Sequence, residues 1–352
     1  MTVFVCARCE AVLTVPVSRV ALPVHAYQHY GHQLLPALMG SGTFAVEPEP
    51  TGPPWREWSE IGEDEALARG VYAPVRSLSY GPPDAVAVAP GDVRGTVLIP
   101  ERCDGYCMGL DGRNGPNLAC AQCGEPVATR VDDCGLWQTT WLDPRSVRSV
   151  PDDEPSPPVI GWDELAEQDE CARTPPIDPP GGWNPVWEAA AGAALPHLLV
   201  GASGGRLTVP EGLLTDAFRT ALDTLLPSGP PPKSLALAGP GLHAADADIV
   251  LVPRHPQTGR VWAAPPGPHP VPLAAEVWTW LASDQNRTPA PMPIRVPDGV
   301  RRDDPLPLLP PVRFRPDWDI FVRTLARLPE VRRPWLRRIY DQVTERPYAD
   351  PF

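Results

Sequence analysis

The sequence predicts an α+β protein: a β-rich N-terminal domain, a proline-rich linker, and a mixed α/β unit with a helical tail. Seven of the eight cysteines and many short β-branched or alternating runs lie in residues 1–145. Residues 146–184 combine dense proline with acidic side chains, and residues 185–352 contain apolar residues at helical spacing. The 51 prolines of 352 residues are about 14%, against a usual level of roughly 5%. Because each proline fixes φ and removes a backbone donor, we expect short elements joined by ordered loops.

In the N-terminal domain, proline, glycine or aspartate bounds each β-like run. We expect strands at 3–5, 12–17, 85–89, 96–99 and 127–131. The linker contains PDDEPSPP at 151–158, and a proline- and acid-rich spacer of this kind is extended and semi-rigid. One short helix is expected within it, at 162–171.

The C-terminal unit alternates helical and strand-like patterns. We expect helices at 186–194, 213–226 and 273–281, strands at 234–238 and 248–252, and a turn at 255–260 leading into 261–264. In the tail, 317–328 carries an apolar stripe at i, i+3, i+4 and i+7. A second amphipathic helix is expected to begin at Pro334, because proline is tolerated in the first turn.

Two short segments of the N-terminal domain match each other: Cys6-Ala-Arg-Cys9 and Cys120-Ala-Gln-Cys123, each followed by an apolar strand start. They resemble the zinc knuckles of zinc-ribbon and rubredoxin-type sites. The resemblance covers only these local motifs and says nothing of function. It implies tight turns that aim backbone N–H groups at the sulfurs, and two knuckles that form one tetrahedral four-thiolate site. Structural Zn²⁺ is the natural occupant of such a site.

The residue that follows each knuckle is informative about the turn. Gly124 occupies a position where the knuckle turn favours a positive φ, whereas Glu10 stands at the equivalent position of the first knuckle. Other pairings remain open. Cys103 and Cys107 can join Cys120 and Cys123 in a more local site, and the four thiols can also be unrelated buried cysteines.

The remaining cysteines raise the possibility of a second metal site. Under the favoured pairing Cys103, Cys107 and Cys134 are left over, and histidines stand nearby in sequence at His25, His29 and His32. The histidine spacing of four and three residues places them on one face of a helix, which Pro23 can start. We favour an amphipathic helix with solvated histidines, and the second site is left undecided. Cys171, in the linker, is expected to be an incidental surface thiol.

Several segments resemble catalytic motifs. Gly201-Ala-Ser203-Gly-Gly205 matches GxSxG, but a nucleophile elbow needs a helix directly after the serine, and 206–209 is strand-like. We therefore expect a glycine-rich turn. A cluster of acidic residues and histidines favours a solvated strand entry; its members are His243, Asp246, Asp248 and His255. The loop 105–117 has a composition typical of a compact ordered loop. HExxH, dinucleotide and Walker motifs are absent from the sequence.

Charge bears on the choice of partner. A net charge of −13 and a pI near 5.0 disfavour non-specific nucleic-acid binding. The tail is locally basic through Arg323, Arg327, Arg332, Arg333, Arg337 and Arg338. We expect it to dock on the chain's own acidic surface, with nucleic-acid binding as the alternative. The N-terminus lacks the features of a secretory signal, and the longest apolar run, 189–202, is too short to span a bilayer, so a cytoplasmic location is expected.

Taken together, these observations favour a structural-zinc protein that acts as a protein-interaction or assembly module. Exposed tryptophans beside proline-rich segments would serve as anchors; the candidates are Trp55, Trp58, Trp183 and Trp187. The alternative is a hydrolase-type enzyme with its site in 185–284 or in the loop 105–117, so enzymatic activity is left undecided. The whole chain, rich in arginine, alanine and proline, resembles uncharacterised proteins of high-GC Gram-positive (actinobacterial) type. Substrate, partner identity and oligomeric state are not determined by the sequence.

Overall fold

The computed structural model describes residues 1–167, 174–178, 181–227, 232–242, 246–283 and 312–345. The chain forms two compact units. The first consists of Met1–Arg69, Pro74–Val159 and Pro256–Gly259, and the second of Gly70–Ala73 with the described parts of 160–255 and 260–352. The chain contains both helices and strands, as the α+β prediction requires. The domain boundaries expected at 145 and 184 stay predictions.

The first unit is built mainly from short strands, and its one α-helix among the described residues, α1, spans Glu63–Ala68. The strands are β1 (Thr2–Cys6), β2 (Ser18–Arg19), β3 (Thr43–Glu47), β4 (Trp55–Glu57), β5 (Ser77–Ser79), β6 (Ala85–Val88), β7 (Thr96–Leu98), β8 (Leu118–Cys120), β9 (Pro126–Val131), β10 (Thr139–Leu142) and β11 (Val147–Pro151).

Seven of these strands form one sheet in the order β2-β3-β6-β10-β9-β8-β7. All neighbours are antiparallel except the pair β2–β3. Strand β6 is buried along its whole length, which fits its AVAV sequence and its interior place in the sheet. Strands β1 and β11 pair antiparallel in a separate two-stranded sheet, and β4 pairs with β5. The core of this unit includes Phe4, Leu13, Phe44, Val88, Leu118, Val127 and Leu142.

The strand predictions of the first unit are largely confirmed, with one exception. The runs at 3–5, 85–89, 96–99 and 127–131 correspond to β1, β6, β7 and β9. Residues 12–17 form isolated bridges instead of a strand. Val12 pairs with Val5, Thr14 with Val93, and Val17 with Thr2. Because the bridges to β1 are interrupted by the bridge to Val93, no continuous ladder forms.

The prediction of a helix after Pro23 is wrong. Residues 24–39 form turns and an isolated bridge, with Gly31 at φ +58° and Pro36 in the same run. Burial separates the histidines, since His25 is buried while His29 and His32 are exposed. The His25 ring lies 4.3 Å from the Trp137 ring, centroid to centroid. Burial lowers the pKa of His25 to about 4, so it is a neutral core residue at pH 7.

The second unit places helices around a four-stranded sheet. Its elements are α2 (Trp162–Ala166), α3 (Pro185–Ala202), β12 (Leu207–Thr208), a π-helical turn (Thr215–Arg219), α4 (Thr220–Leu225), β13 (Lys233–Leu237), β14 (Ile249–Arg254), β15 (His269–Ala274), α5 (Ala275–Ser283), α6 (Trp318–Ala326) and α7 (Pro334–Thr344). Across the described residues, none of the helices has both the length and the apolar character needed to cross a bilayer.

The sheet of the second unit is parallel, in the order β12-β13-β14-β15. Strand β15 was not predicted, because its sequence HPVPLA contains Pro270 and Pro272. It lies at the edge of the sheet, where a proline that lacks an N–H can face outward without breaking a ladder. The helix predicted from 273 accordingly begins later, at Ala275.

Helix α3 is the central helix of the second unit and is longer than predicted. Asn184 caps it by accepting a hydrogen bond from the Val186 N–H, and Pro185 occupies its first turn. Most of its side chains are buried on all sides, which is typical of a helix packed within a core. The tail helices α6 and α7 are confirmed, with Asp317 as the N-cap of α6.

Helix α3 approaches the start of α6 at Gly192. A Cβ atom on Gly192 would lie 2.5 Å from the Asp317 carbonyl oxygen. The Asp317 N–H also donates to the Glu188 carbonyl at 2.8 Å. The backbones are therefore too close for any side chain at position 192.

We predict that Gly192→Ala lowers the free energy of unfolding by about 1–2 kcal/mol. The added Cβ meets backbone atoms, so overpacking costs about 2–3 kcal/mol, the upper part of its usual range, while the higher helix propensity of alanine offsets about 1 kcal/mol. Urea unfolding followed by circular dichroism measures the change. Gly161→Ala, where an added Cβ meets open space, is the control. An unchanged or higher stability of Gly192→Ala would show that the two backbones do not approach as described.

Candidate metal centre

The two CxxC motifs meet in the first unit, although more than a hundred residues separate them. The Sγ atoms of Cys6 and Cys123 lie 3.7 Å apart, and those of Cys9 and Cys120 lie 3.6 Å apart. All four sulfurs fall within 4.8 Å of one another. In a tetrahedral site with metal–sulfur bonds of about 2.3 Å, neighbouring sulfurs are about 3.8 Å apart. The four thiols are therefore spaced to hold one metal ion.

The two knuckles have the same hydrogen-bonding pattern. In each, the first cysteine donates its N–H to the carbonyl five residues later, and the N–H four residues later donates back to the carbonyl of that cysteine. The pairs are Cys6–Ala11 at 2.8 Å, Glu10–Cys6 at 2.9 Å, Cys120–Glu125 at 2.8 Å and Gly124–Cys120 at 2.8 Å. This agreement supports the resemblance of both segments to zinc knuckles.

Both knuckles also turn through a left-handed residue. Gly124 has φ +75°, and Glu10, at the equivalent position, has φ +61°. The conformation costs glycine nothing but disfavours any residue with a Cβ. The Glu10 carboxylate pairs with the Arg148 guanidinium at 2.7 Å, and both side chains are exposed, so this ion pair stabilises the turn little.

Backbone donors prepare one thiol for ionisation. Burial of Cys120 raises its pKa, but the N–H groups of Cys123 and Gln122 outweigh that effect, together with the thiols of Cys9 and Cys123. The net pKa falls from 9.0 to about 7. A thiolate is the form that binds a metal, so this sulfur is available as a ligand near neutral pH.

The four-cysteine site continues the hydrophobic core of the first unit. Cys6 and Cys120 are fully buried and belong to the same cluster as Phe4 and Leu118. Cys9 and the remaining cysteine of the second knuckle are half-buried at its margin. The side chains that would hold a metal are therefore positioned by core packing as well as by the knuckle turns.

The structure does not bring the rival set of Cys103, Cys107, Cys120 and Cys123 together. The Cys103 thiol lies outside the four-cysteine group and donates to the Ile99 carbonyl at 3.3 Å. Cys103 follows a short 3₁₀ turn, Pro100–Arg102, which directs it back toward the preceding strand. The prediction for Cys171 concerns a residue outside the described ranges.

A second group of potential ligands consists of His32, Cys107 and Cys134, whose ligand atoms also lie within 4.8 Å of one another. The Cys134 sulfur is 3.5 Å from His32 Nδ1. The sequence analysis included these three residues in a larger set of candidate ligands for a second metal site, but no sequence feature indicated which of them would meet. Within the described part of the chain, these two groups are the ones that bring three or more histidine, cysteine or acidic side chains together in this way.

The GxSxG match is not a nucleophile elbow. Ser203 is the C-cap of α3 with φ +54°, and its N–H donates to the carbonyls of Leu199 and Val200. The helix therefore precedes the serine, whereas a nucleophile elbow has the helix after it. The expected glycine-rich turn is present at Ser203–Gly205, directly after the end of the helix.

A cleft of about 1230 Å³ in the second unit lies at the amino ends of β13, β14 and β15. Its lining includes Lys233, Asp246, Asp248, Trp262 and His269. Two of these groups are already engaged, since Lys233 Nζ donates to the Gly201 carbonyl at 2.7 Å and Asp248 accepts from the Ser234 N–H and hydroxyl. The Ser234 backbone bond is the main reason why the pKa of Asp248 is lowered.

The histidines and aspartates for which a solvated strand entry is expected are only partly brought together in this cleft. Asp246 and Asp248 both line it, but His255 is buried elsewhere, 3.1 Å from the Ile160 carbonyl and against the Trp162 ring. His243 lies outside the described residues. The hydrolase alternative at 185–284 stays a prediction.

The candidate tryptophan anchors differ in exposure. Trp55 is 55% exposed and Trp58 is half-buried, but Trp183 and Trp187 belong to the core of the second unit. The Trp183 indole donates to the Val312 carbonyl, and that of Trp187 donates to the Thr174 carbonyl. These two residues are therefore excluded as surface anchors.

The arginines of the tail lie on both helices and on the 3₁₀ turn, Pro329–Arg332, between them. Arg337 pairs with Asp341 at 2.7 Å along one turn of α7. Arg332, Arg333 and Arg338 are exposed. The nucleic-acid alternative and the self-docking interpretation both stay predictions.

The left-handed Glu10 gives a stability prediction. Glu10→Gly should raise the free energy of unfolding by about 1 kcal/mol, because glycine removes the steric cost of positive φ. Glu10→Ala, which also removes the exposed carboxylate but keeps the Cβ, is the matched control and should not stabilise the protein. Thermal and urea unfolding at constant zinc concentration measure both. Equal effects of the two variants would contradict a strained turn.

Comparison with protein-family models, with curated protein sequences and with solved structures finds no match to this chain.

Proposed function

We propose that Cys6, Cys9, Cys120 and Cys123 hold one structural Zn²⁺ and that the protein is a non-enzymatic, zinc-stabilised protein-interaction module. The convergence of four thiols at the spacing of a tetrahedral site carries the metal proposal. Four thiolates suit zinc, which has no redox chemistry and accepts tetrahedral sulfur ligands. A site with four protein ligands leaves no position for a substrate, which favours a structural role.

The metal would join the two ends of a long loop. Cys6 and Cys123 are 117 positions apart in the chain. In the chain-entropy model, a cross-link that closes a loop of roughly 100 residues stabilises the folded state by about 4–5 kcal/mol. The proposed zinc would therefore contribute much of the stability of the first unit.

We predict that Cys6→Ser and Cys120→Ser each lose this zinc, whereas Cys103→Ser retains it, because only the first two remove a ligand. Zinc is measured by inductively coupled plasma mass spectrometry on reduced full-length protein, and stability by thermal unfolding with and without a strong chelator. Loss of zinc with Cys103→Ser but not with Cys6→Ser would overturn the ligand set. If the same preparations contained iron and were red, the four-cysteine site would be assigned to iron instead of zinc.

The interaction surface that we propose is the free edge of β7. Val97 and Leu98 are 52% and 49% exposed, and β7 ends the seven-stranded sheet. The Ile99 N–H donates to the Asn117 backbone carbonyl, and the Ala121 N–H donates to the Gly95 carbonyl. Because hydrogen-bonded and non-hydrogen-bonded pairs alternate in an antiparallel ladder, the N–H and C=O groups of Thr96 and Leu98 point away from β8.

An exposed edge with apolar side chains is a template for another strand. Val12, 53% exposed, adds to this surface, since its carbonyl lies close to Gly95 at the start of β7. Edge strand, free backbone groups and apolar side chains together favour a partner protein that adds an extended strand.

A photo-crosslinking amino acid at position 98 should capture a specific partner in cells that express the full chain. Position 159, occupied by the similarly exposed Val159, is the matched control. Thr96→Pro, which removes an outward N–H, should reduce capture at least several-fold. The same set of captured proteins from positions 98 and 159, or capture unchanged by Thr96→Pro, would contradict strand addition at β7.

A further inference from the structure

We infer that His32, Cys107 and Cys134 form a second metal site, with three protein ligands and an open coordination position. This site is separate from the four-cysteine group and does not depend on the interaction function proposed above. Two thiolates and an imidazole are ligands that select zinc over hard cations such as Mg²⁺ or Ca²⁺.

The distances fit a zinc ion. In a tetrahedral site with bonds of about 2.3 Å to sulfur and 2.0–2.1 Å to nitrogen, neighbouring sulfur and nitrogen ligands are about 3.6 Å apart. The Cys134 sulfur lies 3.5 Å from His32 Nδ1, and the Cys107 sulfur completes a triangle whose sides are all within 4.8 Å. One ion can therefore reach all three atoms.

A buried carboxylate ties the two cysteine-bearing loops together. Asp133 is 3% exposed, and its two oxygens accept from the Met108 N–H at 3.2 Å and from the Cys134 N–H at 2.7 Å. Met108 directly follows Cys107 in the chain. Asp133 therefore fixes the backbone beside both cysteine ligands and acts as a positioning residue.

A glycine holds the histidine loop against the same turn. The Gly135 N–H donates to the Gln33 carbonyl at 2.7 Å, and the Tyr30 N–H donates to the Gly135 carbonyl at 2.9 Å. Gly135 has φ +76°, and a Cβ there would lie 2.5 Å from the Gly31 carbonyl. Two hydrogen bonds and one close approach therefore place His32 beside Cys134.

The backbone at Cys107 is itself unusual. Its φ of +26° is rare for a residue with a side chain, and the turn is closed by the Gly109 N–H donating to the Tyr106 carbonyl at 2.7 Å. Backbone strain of this kind persists where the surrounding structure enforces it, and it concentrates at ligand-binding positions. The strained turn presents the Cys107 thiol to the other two ligands.

The site is open to solvent, in contrast to the four-cysteine group. His32 and Cys107 are exposed and Cys134 is half-buried. Zinc bound by three protein ligands retains a fourth position for water or an exogenous ligand. The residues on either side of Cys107 in the sequence are also exposed, Tyr106 to 74% and Met108 to 62%.

The test is zinc stoichiometry of the reduced, full-length protein. We expect two zinc ions per chain, and one in each of His32→Ala, Cys107→Ser and Cys134→Ser, while Cys103→Ser keeps both. Gly135→Ala retains all three ligands but displaces the histidine loop, so it should weaken the second zinc at least tenfold in chelator competition. Cys6→Ser is expected to affect the other zinc, so loss of one site is distinguishable from loss of the other.

Cobalt substitution tests the open position. Azide should change the visible spectrum of cobalt-loaded wild-type protein but not that of His32→Ala. If the wild-type protein bound one zinc per chain, and each of the three ligand variants kept it, the second site would be overturned. Two zinc ions retained in Cys107→Ser would also overturn it, as would a Cys107–Cys134 disulfide that resists reduction and is present in place of the metal. A cobalt spectrum unchanged by azide would overturn the open position.

Discussion

The convergence of two cysteine pairs from distant parts of the chain is the constraint on which the first unit depends. Strand β1 belongs to a two-stranded sheet, separate from the seven-stranded one. Its last residue, Cys6, lies beside the turn that follows β8, and both are part of one hydrophobic cluster. A long loop is closed here, at a cost in chain entropy that buried apolar surface and the proposed metal offset.

Two kinds of metal environment would then exist in one unit. The four-cysteine group is largely enclosed by core residues, whereas the His32–Cys107–Cys134 group lies on loops at the surface. The loops are nevertheless ordered by specific contacts, chiefly the Asp133 carboxylate and the Gly135 backbone. An open ligand set held in this way combines solvent access with fixed geometry, which the binding of an exogenous ligand to the metal requires.

The interaction surface and the second group are also close in the chain. Strand β7 ends at Leu98, and the loop that carries Cys107 begins shortly after it. A partner strand on β7 would therefore pair with a strand that precedes, in the chain, the loop that contributes a metal ligand. The two proposals rest on different observations, one on exposed backbone and apolar side chains and the other on ligand geometry.

The amino-acid sequence by itself determined the knuckles, most strands of the first unit and the amphipathic tail helices, because spacing, turn residues and apolar periodicity are local properties. Tertiary structure decided what depends on distant partners. The edge position in the sheet allows the proline-containing segment 269–274 to form a strand, and hydrogen bonds to Gly135 and Gln138 hold residues 30–38 in turns instead of a helix. The close backbone approach at Gly135 places His32, and neither His25 nor His29, beside two cysteines. A local sequence pattern does not predict such an approach.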